Sequence, residues 1–137
     1  MTPPIPERVA DAYKRAPDMF AQPLADLRTS IFEAAENAKV GDVEETLKWG
    51  EISFLPKKPR IGTTIRLGWN EDTGEIRFYV PCQTRLIDIY KARFPQEFQY
   101  EGNRVVRIPI RDARTPFVSE LIALAFTYHR DKLGKSL

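Results

Sequence analysis

The sequence predicts an α+β fold, a two-layer domain with a largely antiparallel sheet packed by helices. Three observations carry this. Apolar residues recur at helical spacing in some segments and at every second residue in others. Short loops join successive alternating segments, which favours antiparallel pairing. The segments run α-α-β-β-β-β-α-β-β-α, so the helices are not interleaved with every strand.

Residues 1–22 are expected to form an extended or partly helical arm. Pro3, Pro4 and Pro6 impose an extended lead-in. Val9 to Arg15 reads as a short helix, ended before Pro17. A single domain is expected over 23–137. It opens with a helix from Pro23 to Lys39, since proline suits the first helical position, where its missing N–H costs nothing. Leu24, Leu27, Ile31, Ala34, Ala35 and Ala38 form one apolar stripe. Asp26, Arg28, Glu33 and Glu36 lie off it, and Gly41 is a natural stop.

The next segment alternates. Val43, Leu47 and Trp49 point one way, with Glu45 as the odd member, while Glu44, Thr46 and Lys48 point the other. Gly50 reads as a bulge before Ile52 and Phe54. Ile61 to Trp69 is a second clean alternation. Asn70 to Gly74 is a hairpin loop, and Ile76, Phe78 and Val80 form the return strand, closed by Pro81. Helical spacing returns from Thr84 to Phe94, with Thr84 as the expected N-cap. Phe98 and Tyr100 lead into Glu101-Gly102-Asn103-Arg104, which suits a type II′ turn. Val106, Ile108 and Ile110 follow. The last helix is expected from Pro116 to Leu133, capped by Thr115 and followed by Gly134.

Composition narrows the function classes. The chain has 137 residues, 42% hydrophobic and 29% charged. That is enough to bury a core without a disulfide or a metal. Lys and Arg number 21 against 19 Asp and Glu, a net charge of +2. This balance does not point to a polyanion, and nucleic acid is not the expected partner. One Cys and one His exclude an intrachain disulfide and a Cys₂His₂ zinc site. Met1 to Arg8 lacks the apolar core of a secretory signal. No segment approaches the roughly 18 apolar residues of a membrane helix. A soluble cytoplasmic protein is therefore expected. Phosphate-loop, dinucleotide, zinc-protease and nucleophile-elbow motifs do not occur.

Three stretches carry a resemblance. Val43 to Phe54, with Glu44-Glu45 and Lys48-Trp49-Gly50, is similar to a strand motif of a bacterial family with the YdhG-like fold. The helix with Leu24, Leu27, Arg28 and Ile31 resembles that family's opening helix. Tyr79-Val80-Pro81-Cys82-Gln83-Thr84-Arg85-Leu86 and Tyr100-Glu101-Gly102-Asn103-Arg104 resemble a subgroup's turn and hairpin. The resemblance implies an α+β fold with an antiparallel sheet, and one branch of the family is frataxin-like, an iron donor. Iron held that way needs a surface of hard oxygen ligands. The nearest candidates here are Asp42, Glu44 and Glu45.

The expected function is a non-catalytic binding or chaperone-like module for a small ligand or a protein partner. No cofactor is expected, except iron under the frataxin-like reading. The candidate groove lies between the Trp49–Gly50 strand and the Cys82–Arg85 turn. Its residues are Lys48, Trp49, Gly50, Glu51, Cys82, Gln83, Thr84 and Arg85. Trp offers a flat face, Lys a charge and Gly room for close approach. Against this, the alternation by itself makes Trp49 a core residue. Cys82 precedes a helix start, a setting that favours thiolate, and so supports a thiol-dependent enzyme as an alternative. A buried filler is its plainer role. A Cys82–His129 pair is formally possible because each is the only residue of its type. Lys57, Lys58, Arg60, Arg104, Arg107, Arg111 and Arg114 are expected to serve solubility and ion pairing.

Overall fold

The computed structural model describes residues 2–135. Four helices pack on a six-stranded antiparallel sheet. The helices are α1 (Glu7–Lys14), α2 (Ala21–Asn37), α3 (Leu86–Arg93) and α4 (Pro116–Phe126). The strands are β1 (Val43–Lys48), β2 (Glu51–Pro56), β3 (Ile65–Asn70), β4 (Glu75–Tyr79), β5 (Gln99–Glu101) and β6 (Val105–Pro109). Their spatial order is β1-β2-β3-β4-β6-β5. After β4 the chain passes through α3, lays β5 at the outer edge, and returns as β6 between them.

Strand alternation sorts the side chains. Ile52, Phe54, Ile65, Leu67, Ile76, Phe78, Val106 and Ile108 all enter one core. Leu24, Leu27 and Ile31 of α2 meet them there, with Val118, Leu121 and Ile122 of α4. Each such side chain contributes roughly 1.5–3 kcal/mol on full burial. In register the other face of the sheet presents Ser53, Arg66 and Tyr79 in one row, and Lys48, Glu51, Gly68, Arg77 and Arg107 in the next.

Several expectations are corrected. The helix expected from Pro23 starts at Ala21, and Pro23 sits in its first turn, where proline is tolerated. The N-terminal segment contributes α1, whose Val9 and Ala12 are buried in the common core. Gly50 is no bulge. Lys48 pairs with Glu51, so Trp49 and Gly50 form a two-residue hairpin turn. Trp49 therefore leaves the alternation and is 91% exposed. The Glu101 hairpin has three loop residues, because Glu101 pairs with Val105. The third helix starts at Leu86, with Arg85 at its cap position and no side-chain cap. Thr84 still accepts a long 3.4 Å bond from the Leu86 N–H.

The last helix stops at Phe126, well short of Leu133. The reason is a competing partner. The Ala125 carbonyl accepts from the Thr63 N–H at 2.9 Å, and the Ile61 carbonyl accepts from the His129 and Arg130 N–H groups at 3.0 and 2.9 Å. The segment before β3 thus takes over hydrogen bonds that further helical turns would use. Gly62 permits this approach, since a Cβ there would overlap the backbone of Phe126.

Candidate functional site

The β1–β2 turn sets the site's rim. Trp49 has φ 55° and Gly50 has φ 75°, the pair of left-handed residues that a type I′ hairpin requires. Glycine adopts this freely. A bulky tryptophan does so at a cost of about 1–2 kcal/mol.

Beside Trp49 lies a cleft of about 230 Å³. Lys48 and Trp49 come from the hairpin tip, Thr64 and Arg66 from the start of β3, Tyr79 from β4, and Pro81, Cys82 and Gln83 from the turn before α3. Arg104 comes from the β5–β6 loop. That loop is tied to the β4–α3 turn by the Val80 N–H, which donates to the Arg104 carbonyl at 2.8 Å. The lining holds three cationic side chains, Lys48, Arg66 and Arg104, and no acid. Arg66 is paired outside the lining with Glu51 at 3.4 Å. Among the described residues no ion pair engages Lys48 or Arg104.

Tyr79 forms the floor. Its ring lies over Gly68, whose absent side chain leaves the room. The guanidinium groups of Arg66 and Arg77 each sit 5.6 Å from the ring centre. Arg77 Nε donates to the Tyr79 hydroxyl at 2.9 Å, and its other nitrogens make a bidentate pair with Glu101 at 3.0 and 2.9 Å. The bonds to Glu101 and then Tyr79 raise the pKa of Arg77. In return Arg77 lowers that of Glu101. Arg107 is held by Glu75 at 2.9 Å. The Arg77 pair keeps Tyr79 fixed, and of the cleft's cations Arg66 is paired while Lys48 and Arg104 have no ion-pair partner among the described residues.

The structure brings Lys48, Trp49, Cys82 and Gln83 together in this cleft. It places Gly50 and Glu51 in a neighbouring one of about 270 Å³, with Arg15 and Trp69. Thr84 hydrogen-bonds the Pro81 carbonyl at 2.8 Å and braces the turn. Arg85 lines a third cleft, of about 530 Å³, with Gln83, Tyr128, His129, Lys132, Gly134 and Lys135. Cys82 is exposed and is not a core filler. Cys82 and His129 line different clefts. His129 lies beyond the end of α4, in the turn tied to Ile61.

The acidic candidates separate. Alternation puts Glu44 and Glu45 on opposite faces of β1. Glu45 is buried against Arg28 and Tyr13, and Glu44 lies 4.0 Å from Arg8. Asp42 lines a cleft of about 560 Å³ with Glu36, Lys39 and Lys57. Among the described residues no group of three His, Cys, Asp or Glu is placed to hold a metal ion. No described helix is long and apolar enough to cross a membrane.

Sequence reasoning missed Arg66, Tyr79 and the place of Arg104. The first two sit in strand alternation on the face opposite the core residues Ile65, Leu67 and Phe78, and that they meet follows from the β3–β4 register, which pairs Arg66 with Tyr79. Arg104 was visible as a charge, but its neighbours follow from β6 inserting beside β4. No protein-family model, no curated protein and no solved structure matches the chain.

Proposed function

We propose that the chain is a non-catalytic binding module whose Trp49–Cys82–Arg104 cleft takes a small anionic molecule with a flat ring. One observation carries this reading. Three sequence stretches that resemble YdhG-like motifs, at Lys48–Trp49, Cys82–Gln83 and Arg104, line one acid-free cleft. Kinship with that family belongs to the same proposal. Trp49 supplies a stacking face and Arg104 and Lys48 supply charge, the pairing that a planar anion calls for. Cys82 lies at the cleft wall as a thiol without a histidine in the same lining, which favours binding over nucleophilic chemistry.

The test uses nucleoside monophosphates and aromatic carboxylates as probes. Titration calorimetry should detect binding to the wild type, and Trp49→Ala or Arg104→Gln should each weaken it about tenfold. Saturation should also slow labelling of Cys82, the sole thiol. If the wild type takes up none of these probes, or Lys48→Gln with Arg104→Gln leaves uptake unchanged, the reading is wrong.

A further inference from the structure

Two of the clefts share a wall. Gln83 lines both the cleft of about 230 Å³ beside Trp49 and the cleft of about 530 Å³ bounded by the turn before α3 and the segment after α4. The second cleft is also without acids in its lining, which holds Arg85, His129, Lys132 and Lys135. Arg85, His129 and Lys135 are exposed, and no ion pair engages them among the described residues. Their position is fixed by backbone ties. The Tyr128 hydroxyl accepts from the Arg85 N–H at 2.9 Å, and the Leu133 N–H donates to the Tyr128 carbonyl at 3.0 Å. Tyr128 thus holds the start of α3 against the C-terminal turn.

The chain is nearly neutral, yet seven Lys, Arg and His side chains and no acid line these two clefts, which meet at Gln83. An isolated monoanion needs only the first of them. We infer that the ligand carries two phosphate-type groups in series: a nucleoside diphosphate or a longer chain. This rests on the preceding proposal and extends it. The flat head stacks at Trp49, the first anionic group meets Lys48, Arg66 and Arg104, and the second passes Gln83 to reach Arg85 and Lys135. A guanidinium grips such oxygens with two parallel N–H donors, and a lysine ammonium adds a point charge. The Gln83 amide can donate to the linking oxygen between them.

Adenosine monophosphate and adenosine diphosphate are the probes, titrated into the full chain. The diphosphate is expected to bind at least about tenfold more tightly. Arg85→Gln with Lys135→Gln should remove that advantage and leave monophosphate binding unchanged. Both side chains are exposed, and the melting temperature checks that the variant is folded. Lys57→Gln with Lys58→Gln removes the same charge from a loop that lines neither cleft and should preserve the advantage. Equal affinity for the two probes, no binding of either, or an advantage that survives in the Arg85/Lys135 variant overturns the inference. So does an equal loss in the Lys57/Lys58 control, which would show a general field and no second subsite. The single-anion reading fails separately, when its own panel is not bound or when Lys48 and Arg104 prove irrelevant to it.

Discussion

Arg28 and Glu45 meet as a bidentate ion pair inside the hydrophobic core. Arg28 Nη2 donates to Glu45 Oε1 at 2.7 Å, and Nε donates to Oε2 at 2.9 Å. The Tyr13 hydroxyl donates to the same Oε2 at 2.6 Å, and the guanidinium lies 5.0 Å from the Phe32 ring centre. The side chains are 8% and 3% exposed. Burial alone would lower the pKa of Arg28, but the bonds and charge of Glu45 outweigh it and raise it. The pair joins α1, α2 and β1 at the one point where a charged strand residue faces the core.

Breaking this pair from one side should cost more than removing both partners. Glu45→Leu strands a buried guanidinium and is expected to lose about 3–5 kcal/mol in urea unfolding. Adding Arg28→Met should recover most of that, because two apolar side chains pay no desolvation. A single-variant loss below about 1 kcal/mol would show that water screens the pair as it does at a surface.

Trp49 should set stability against binding. Its ring is 91% exposed, so replacing it removes little buried contact. Asparagine tolerates φ near 55° far better. Trp49→Asn is therefore expected to stabilise the fold by about 1 kcal/mol in denaturant unfolding. The same variant should bind the planar anions at least about tenfold more weakly. A destabilised variant would mean that the indole packs in solution.

Gly62 should tolerate no side chain. The obstacle is the Phe126 backbone and not a movable side chain. Gly62→Ala must push the segment before β3 away from α4 and stretch the Thr63 N–H to Ala125 bond. A loss of about 3 kcal/mol is expected from thermal unfolding. A change within about 0.5 kcal/mol would place the two segments farther apart.

Stability should fall in alkali through the buried tyrosines. Burial, and then the nearby Tyr100, raises the pKa of Tyr90 well above its ordinary value. The Tyr90 hydroxyl donates to the Leu121 carbonyl at 2.7 Å. A raised folded-state pKa gives stability that is whole below the unfolded pKa near 10 and is lost as pH rises toward the folded one. Above pH ~10 the unfolded chain releases the proton and the native chain keeps it. Each pH unit there should cost about 1.4 kcal/mol for Tyr90. Tyr90→Phe should flatten the alkaline limb of a urea-midpoint profile by that slope. Parallel profiles would show that Tyr90 ionises as easily folded as unfolded.

Much of the fold was legible in the sequence. The element order is recovered in full, because helix and strand periods are local properties of ten or so residues. The errors fall where distant chain wins. Thr63 and Ile61 end α4 early by capturing its hydrogen bonds. Arg28 lies off the apolar stripe of its helix, yet Glu45 draws it into the core. Trp49 obeyed the alternation on paper, but a turn residue belongs to neither face.

The sequence by itself determined the α+β class, the antiparallel hairpins, most core positions and four residues of the candidate cleft, Lys48, Trp49, Cys82 and Gln83. Only the tertiary structure decided that Arg104 joins Trp49 and Cys82, that Arg85 lines a second cleft which shares Gln83 with the first, and that cations gather there without acids. Composition sums charge over the whole chain and reads +2. A cleft samples only the side chains that strand order and one crossover bring to the same end of the sheet.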